Sequence, residues 1–245
     1  MNLPSDQEIN ALILQRYMTA QSALGRGILN LHLLWIRLAW RWLMAGAQTT
    51  KRLLDIFGSL ALIILFGPLM LIIVALVKLE DGGPAVFTQT RVGKFGCEFK
   101  MLKFRSMCLD AEARLKELLA KNHHQEGVTF KIKDDPRITR VGKWLRKFSL
   151  DELPQFFNVL KGDMSLVGPR PPVPREVAMY SLADRRRLAV KPGITCFWQI
   201  GGRSEIDFSG QVQLDVDYIE RQSFWVDVKI LLQTVPAVLS GKGAC

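Results

Sequence analysis

From Trp144 to Leu160 the chain reads Trp-Leu-Arg-Lys-Phe-Ser-Leu-Asp-Glu-Leu-Pro-Gln-Phe-Phe-Asn-Val-Leu, which crowds Arg146, Lys147, Asp151 and Glu152 together. Adjacent carboxylates beside a cationic pair at a helix start can hold a metal ion and a phosphate. A carboxylate held there can also attack phosphorus itself. A plainer reading competes for Glu152. Ser149 and Glu152 stand in the S-x-x-E relation of a capping box, and on that reading both acids merely favour the positive end of a helix dipole. Pro154 leaves the helix start ambiguous, because proline also suits a first helical position. Capping accounts for Glu152 but not for the density of charge around it.

Two more stretches carry cations in constrained settings. Prolines 169, 171, 172 and 174 stiffen an extended loop around Arg170, and a guanidinium on a rigid loop suits phosphate oxygens gripped two at a time. A proline-rich linker or a ligand for a proline-binding domain is the alternative, which a position inside the domain disfavours. Pro192-Gly193 and Gly201-Gly202 bracket a short apolar strand and place Arg203 on a turn, and Trp198 suits either a stacked base or the core. Lys103 and Arg105, on an expected strand, complete a basic set able to meet a pyrophosphate.

The elements that must position these groups fall into three zones: 1–50, 51–80 and 81–245. Ile56 to Val77 is an apolar run of 22 residues interrupted only by Gly58, Ser59, Gly67 and Pro68, against roughly 20 needed to cross a bilayer. Pro68 removes a backbone donor near its middle, and Gly67 loosens the same turn. Basic residues flank both sides, Lys51 and Arg52 before it and Lys78, Arg91 and Lys94 after it, although such residues favour the cytoplasmic side. A helix that dips in, bends at Gly67-Pro68 and returns satisfies both flanks; a plain crossing satisfies the length. Ahead of it, the helical stretch ending at Met44 has Arg26, Asn30, Arg37 and Arg41 in one stripe, with Trp35, Trp40 and Trp42 elsewhere around the helix. That pattern fits a helix lying in a membrane interface or one covered by a partner. Ala85 to Val92 and Glu98 to Met107 read as paired strands. Asp110 to Lys121, Asp215 to Arg221 and Trp225 to Leu239 read as helices.

Composition bounds the alternatives. Apolar residues make up 49% and charged residues 23%, which excludes both a disordered chain and a polytopic membrane protein. The 33 Lys+Arg against 23 Asp+Glu, a formal charge of +10, favour an anionic partner: nucleic acid, acidic lipid or a phosphorylated substrate. Cys97, Cys108, Cys196 and Cys245 are too scattered for a disulfide framework or zinc site. His123-His124, in a polar stretch, reads as a solvated loop. No basic start followed by an apolar run opens the chain, so membrane contact is expected further in.

Six ordered segments closely resemble the bacterial sugar transferases, the monotopic phosphoglycosyl transferases. They are Lys51-Arg-Leu-Leu-Asp55, Phe87-Thr-Gln-Thr-Arg-Val-Gly93, Lys103-Phe-Arg-Ser-Met107, Ser149-Leu-Asp-Glu-Leu-Pro-Gln155, Gly162-Asp-Met-Ser-Leu-Val-Gly-Pro-Arg-Pro171 and Pro192-Gly-Ile-Thr195. The resemblance implies an α+β fold: a compact helix-rich catalytic domain with small β-hairpins, anchored by a re-entrant membrane helix broken at Gly67-Pro68 and by interfacial amphipathic helices. It implies catalysis by Asp151 and Glu152, with Asp151 as nucleophile and Mg²⁺ at the dyad. Arg146 and Arg170 would hold phosphates, with Lys103, Arg105 and Arg203 completing the basic set. The partners implied are a UDP-sugar, undecaprenyl phosphate and membrane lipids rather than nucleic acid, with room for a homodimer, at the cytoplasmic face of a bacterial inner membrane. Trp198-Gln199 and Gly202-Arg203-Ser204 go with a glucose or galactose donor. Cys196 departs from the small residue usual there, and long family members carry a separate domain and further membrane helices ahead of the catalytic part. Two rivals remain: a membrane-tethered basic module that binds lipid or nucleic acid, and a transferase in which Asp151 serves only the metal.

Overall fold

The structure, a computed structural model, describes residues 11, 17–18, 21–111, 113–114, 135–202 and 206–240. The chain divides into two units, Met1–Thr50 and Lys51–Cys245. Helix α1 spans Ala23–Asp81. In the first unit its described side chains between Arg26 and Arg37 are exposed apart from Leu29, and Trp35 is 70% exposed.

In the second unit α1 carries the apolar run. Helical structure continues through Gly67 and Pro68, although Pro68 has no N–H to offer the Ile64 carbonyl. The helix stops at Gly82, which adopts φ 72° and donates its N–H to the Lys78 carbonyl, the usual role of a glycine past a helix end. From Gly46 to Asp81 the helix is long and apolar enough to cross a membrane. Ile64, Leu71 and Leu79 are 70%, 73% and 84% exposed, whereas Ile73 and Val77 are buried with Met101, Phe104 and Leu145 in the core.

Strands β1 (Val86–Val92) and β2 (Glu98–Phe104) pair antiparallel, with Phe87 opposite Lys103. The Lys94–Gly96 turn joins them, with positive φ at Phe95 and Gly96. Helix α2 (Arg140–Lys147) starts where the Thr139 hydroxyl accepts from the Gly142 N–H at 2.9 Å. A Cβ on Gly142 would lie 2.0 Å from the Ser106 carbonyl oxygen, so only glycine lets α2 approach the end of β2 this closely. After the Leu150–Glu152 turn, α3 (Gln155–Lys161) ends at Gly162 with φ 96°.

The resemblance implies small β-hairpins; among the described residues there is one hairpin, and the other strand pair is parallel. Strand β3 (Ser165–Val167) runs beside β4 (Gly193–Thr195), Ser165 opposite Gly193 and Val167 opposite Thr195. The stretch expected to be one strand up to Gly201 ends at Thr195, and Phe197–Gly201 forms helix α5 after the short α4 (Pro174–Ala178). Helices α6 (Phe208–Arg221) and α7 (Phe224–Ser240) close the fold. Of the helix expected over Asp110 to Lys121, Ala111, Ala113 and Arg114 are helical, and most of the rest lies outside the described residues, as does the His123-His124 pair.

Candidate active site

Asp151 and Glu152 sit on the tight turn between α2 and α3. Ser149 takes φ 53° and makes no side-chain cap, so the capping-box reading of Glu152 gives way. Its carboxylate turns instead to β2, accepting from the Lys103 ammonium at 2.8 Å. Lys103 also lies 3.8 Å from Asp151, and the Arg170 guanidinium lies 3.6 Å from Glu152. The turn is held against β2 by Asn158 of α3, which donates to the Lys100 carbonyl at 2.8 Å and accepts from the Leu102 N–H at 2.9 Å. Asp151 is buried and Glu152 half-buried.

Burial and charge separate the two acids. Burial pushes the Asp151 carboxyl above the ordinary range, against the pull of Lys103. Burial acts on Glu152 in the same sense, but Lys103 and then Arg170 outweigh it and hold the group down at about 2. Neighbouring acids whose surroundings push them apart in this way suit different roles: Glu152 stays ionised beside its cations, while Asp151 is the more easily protonated of the two.

The Pro-Arg-Pro loop is fixed at several points. The Gly168 N–H donates to Thr195, Gly193 donates to the Pro169 carbonyl, and Val92 donates to the Pro172 carbonyl. Arg91 donates to the Pro171 carbonyl at 2.8 Å and to the Gln89 amide oxygen. Burial, and then the neighbouring Arg170, lower the Arg91 guanidinium to about 10.

These groups line one wall of a cavity of about 1200 Å³, together with Arg146 and Arg175. Its other wall is apolar, formed by Leu54, Leu62 and Phe66 of α1 and by Leu231, Leu232 and Val235 of α7. A basic pocket with two carboxylates therefore opens onto a greasy surface, which suits a substrate with a diphosphate at one end and hydrocarbon at the other.

The structure brings Asp151, Glu152, Lys103, Arg146 and Arg170 together. Arg105 it does not. That guanidinium is buried at the end of α1, on the Asp81 carboxylate and the Val77 carbonyl, and Lys103 alone of the expected strand pair faces the dyad. Arg203 lies outside the described residues. Trp198 is 6% exposed and forms part of the cavity wall and core. Cys196 is fully buried and donates its thiol to Gln199, while burial holds that thiol neutral. Arg175 escaped the sequence reading, and Arg91, which lies in the Phe87–Gly93 segment, was read only as a flanking cation and not as part of the site.

Both ends of the apolar helix meet the same domain. At one end Lys51 donates to the Asp227 carboxylate at 2.7 Å, and Arg52 donates to the Val159 and Leu160 carbonyls. At the other, Arg105 holds Asp81, and Glu80 accepts from the Val141 N–H at 3.2 Å.

A family model described as bacterial sugar transferase matches residues 46–241. A galactosyl transferase, CpsE of Streptococcus agalactiae, is 52% identical over 195 residues, 79% of this chain and 43% of the relative. An undecaprenyl-phosphate galactose phosphotransferase of Salmonella typhimurium is 45% identical over 202 residues, 81% of this chain and 42% of its own length. The exopolysaccharide production protein ExoY of Rhizobium meliloti is 41% identical over 197 residues, 79% of this chain and 87% of its own. The chain thus spans less than half the length of the first two and most of the third. With motifs, site and match in agreement over the same residues, the chain belongs to the bacterial sugar transferase family.

Proposed function

We propose that the protein transfers a hexose-1-phosphate from a UDP-sugar to undecaprenyl phosphate, releasing UMP, at the cytoplasmic face of the bacterial inner membrane. The observation that carries this reading is a desolvated Asp151 flanked by Lys103, Arg146 and Arg170 in a cavity whose far wall is apolar. The relatives named as galactosyl transferase and undecaprenyl-phosphate galactose phosphotransferase support the same chemistry and make UDP-galactose the first donor to test, with UDP-glucose second.

In this mechanism an Asp151 oxygen attacks the sugar-bearing phosphorus. The bond from that phosphorus to the bridging oxygen breaks, UMP leaves with the electron pair, and a phosphosugar remains on Asp151. A phosphate oxygen of undecaprenyl phosphate then attacks the same phosphorus, which frees the carboxylate and forms the lipid diphosphate sugar. Lys103, Arg146 and Arg170 offset the charge that develops on the phosphate oxygens, and Glu152 keeps Lys103 and Arg170 in place. Among the described residues no group of three or more His, Cys, Asp and Glu gathers. Two carboxylates facing a cavity are nonetheless a donor set that suits Mg²⁺ when phosphates and water complete its oxygens. Asp151 and Glu152 would hold it, and bound there it would neutralise charge on the donor's diphosphate.

The membrane helix re-enters rather than crosses in this account. Support comes from hydrogen bonds that tie both its ends, at Lys51 and Arg52 and at Glu80 and Asp81, to one domain. Exposed apolar side chains between them suit lipid. The tryptophan-bearing helix of residues 27 to 44 lies in the interface. The test is UMP release from UDP-galactose by protein in lipid nanodiscs: it requires Mg²⁺ and undergoes loss in Asp151→Asn. Salt-sensitive binding to anionic vesicles or DNA without UMP release from any UDP-sugar would support a basic binding module instead.

A further inference from the structure

Strand β3 is three residues long, wholly buried, and has one strand neighbour, β4. Its backbone on that side pairs with the β4 segment, through Ser165 to Pro192 and Gly168 to Thr195. A buried strand cannot leave the remaining polar groups unpaired. The structure meets them with side chains from the start of the apolar helix. One Asp55 oxygen accepts from the Leu166 N–H and the Ser165 hydroxyl, both at 2.9 Å. Lys51 donates to the Val167 carbonyl at 3.1 Å, as does the Tyr218 hydroxyl at 3.0 Å. Lys51 and Tyr218 are themselves tied together through the two oxygens of buried Asp227. Asp55 is 3% exposed, and the contact is close: a Cβ on Gly58 would lie 2.7 Å from the Leu166 side chain.

The strand so braced leads directly into the loop of Arg170. Val167 is followed by Gly168, where a Cβ would collide with the Lys191 carbonyl at 2.6 Å, and then by Pro169 and Arg170. The chain there has little freedom, so a shift of β3 moves the guanidinium that lies 3.6 Å from Glu152. We infer that Lys51 and Asp55 are positioning residues for the donor site: the first turns of the membrane helix act as β3's second strand neighbour and thereby hold Arg170 in place. This rests on the reading of Arg170 as a phosphate-holding group.

The experiment uses the full chain in nanodiscs and two readouts. Hydrogen exchange of peptides covering 164–173 is compared in wild type, Asp55→Leu and Asp55→Asn, with peptides of α6 as a reference for folding. Asp55→Leu keeps the branched shape without the acceptor and raises exchange in 164–173 by about tenfold or more, the size of one lost hydrogen bond to a charged group. Asp55→Asn keeps an oxygen acceptor and stays near wild type. In UMP release, Asp55→Leu costs about tenfold, and Asp55→Leu combined with Arg170→Lys costs no more than Arg170→Lys alone, because both act through one guanidinium. Unchanged exchange in 164–173, or fold-losses that multiply, overturns the inference. Should Asp55→Leu also lose protection in α6, Ser165→Ala, which removes one of the two bonds to Asp55, gives a smaller rise confined to 164–173, and no rise there overturns the inference. A wild-type protein that releases no UMP refutes the proposed function, while the exchange data still decide the role of Asp55.

Discussion

Replacing Lys103 with methionine tests how the acidic pair is held. Lys103 lies 2.8 Å from Glu152 and 3.8 Å from Asp151, attractions of roughly 6 and 4 kcal/mol at an effective dielectric of about 20, before desolvation is subtracted. The net effect is smaller. Glu152 is held at about 2, against about 4.5 for an ordinary glutamate, which is on the order of 3 kcal/mol. Lys103 supplies the larger share of that and Arg170 the next. Lys103→Met is therefore expected to lower stability by about 2 kcal/mol, or roughly 4–8 °C in Tm for a unit of this size. Because the folded value of Glu152 lies below its unfolded value, its contribution is present above about pH 4.5 and fades as pH falls toward 2. The difference in Tm between wild type and variant is thus widest near neutrality and closes on acidification. UMP release falls about 10²-fold, as when one transition-state donor is removed. Its acid limb moves to higher pH, because Asp151 loses the cation that opposes burial. Thermal unfolding in nanodiscs from pH 7 to pH 3, with UMP release over the tolerated range, reads both effects. A Tm difference that stays constant with pH, or a fully active variant, refutes the coupling.

Other residues give contrasting outcomes. Arg105→Met removes a buried guanidinium that pairs with the solvent-reached Asp81 and lowers stability by about 2 kcal/mol without changing the KM for the UDP-sugar, whereas Arg170→Met raises that KM; equal effects on KM contradict the placement of Arg105 at the helix end. Gly142→Ala drives a Cβ into the Ser106 backbone and destabilises by about 1–3 kcal/mol, which chemical denaturation checks; an unchanged midpoint argues against the close approach of α2. In a cysteine-free background, single cysteines at Thr50 and Lys78 react with an impermeant maleimide from the cytoplasmic side alone. Labelling of the two from opposite faces contradicts re-entry.

Much of this site was legible in sequence because its signals are local. Asp151, Glu152 and Arg146 lie within one short segment, and alternation across residues 85 to 107 marks the hairpin that carries Lys103. Arg105 shows where such reasoning stops. Residues 103 and 105 share a face only while a strand continues, and β2 ends at Phe104, so Arg105 leaves the pleat and turns to Asp81. The parallel pairing of β3 and β4 had no period to reveal it, since each strand is three residues long and a proline-rich loop and two short helical segments intervene. The Lys51-to-Asp55 segment matched a family pattern without showing its purpose. Its partners, Ser165, Leu166, Val167 and Asp227, lie more than a hundred residues away, a proximity created only by folding.

The central claim is that Asp151 accepts the phosphosugar. Protein in nanodiscs, incubated with UDP-galactose labelled in the sugar and with no undecaprenyl phosphate, is quenched and digested, and the peptide containing Asp151 is sought by mass. A hexose-phosphate adduct is expected on that peptide, formed with release of UMP, discharged on adding undecaprenyl phosphate and absent in Asp151→Asn. Full turnover with acceptor, but no adduct on any peptide under conditions that preserve acyl phosphates, would contradict it.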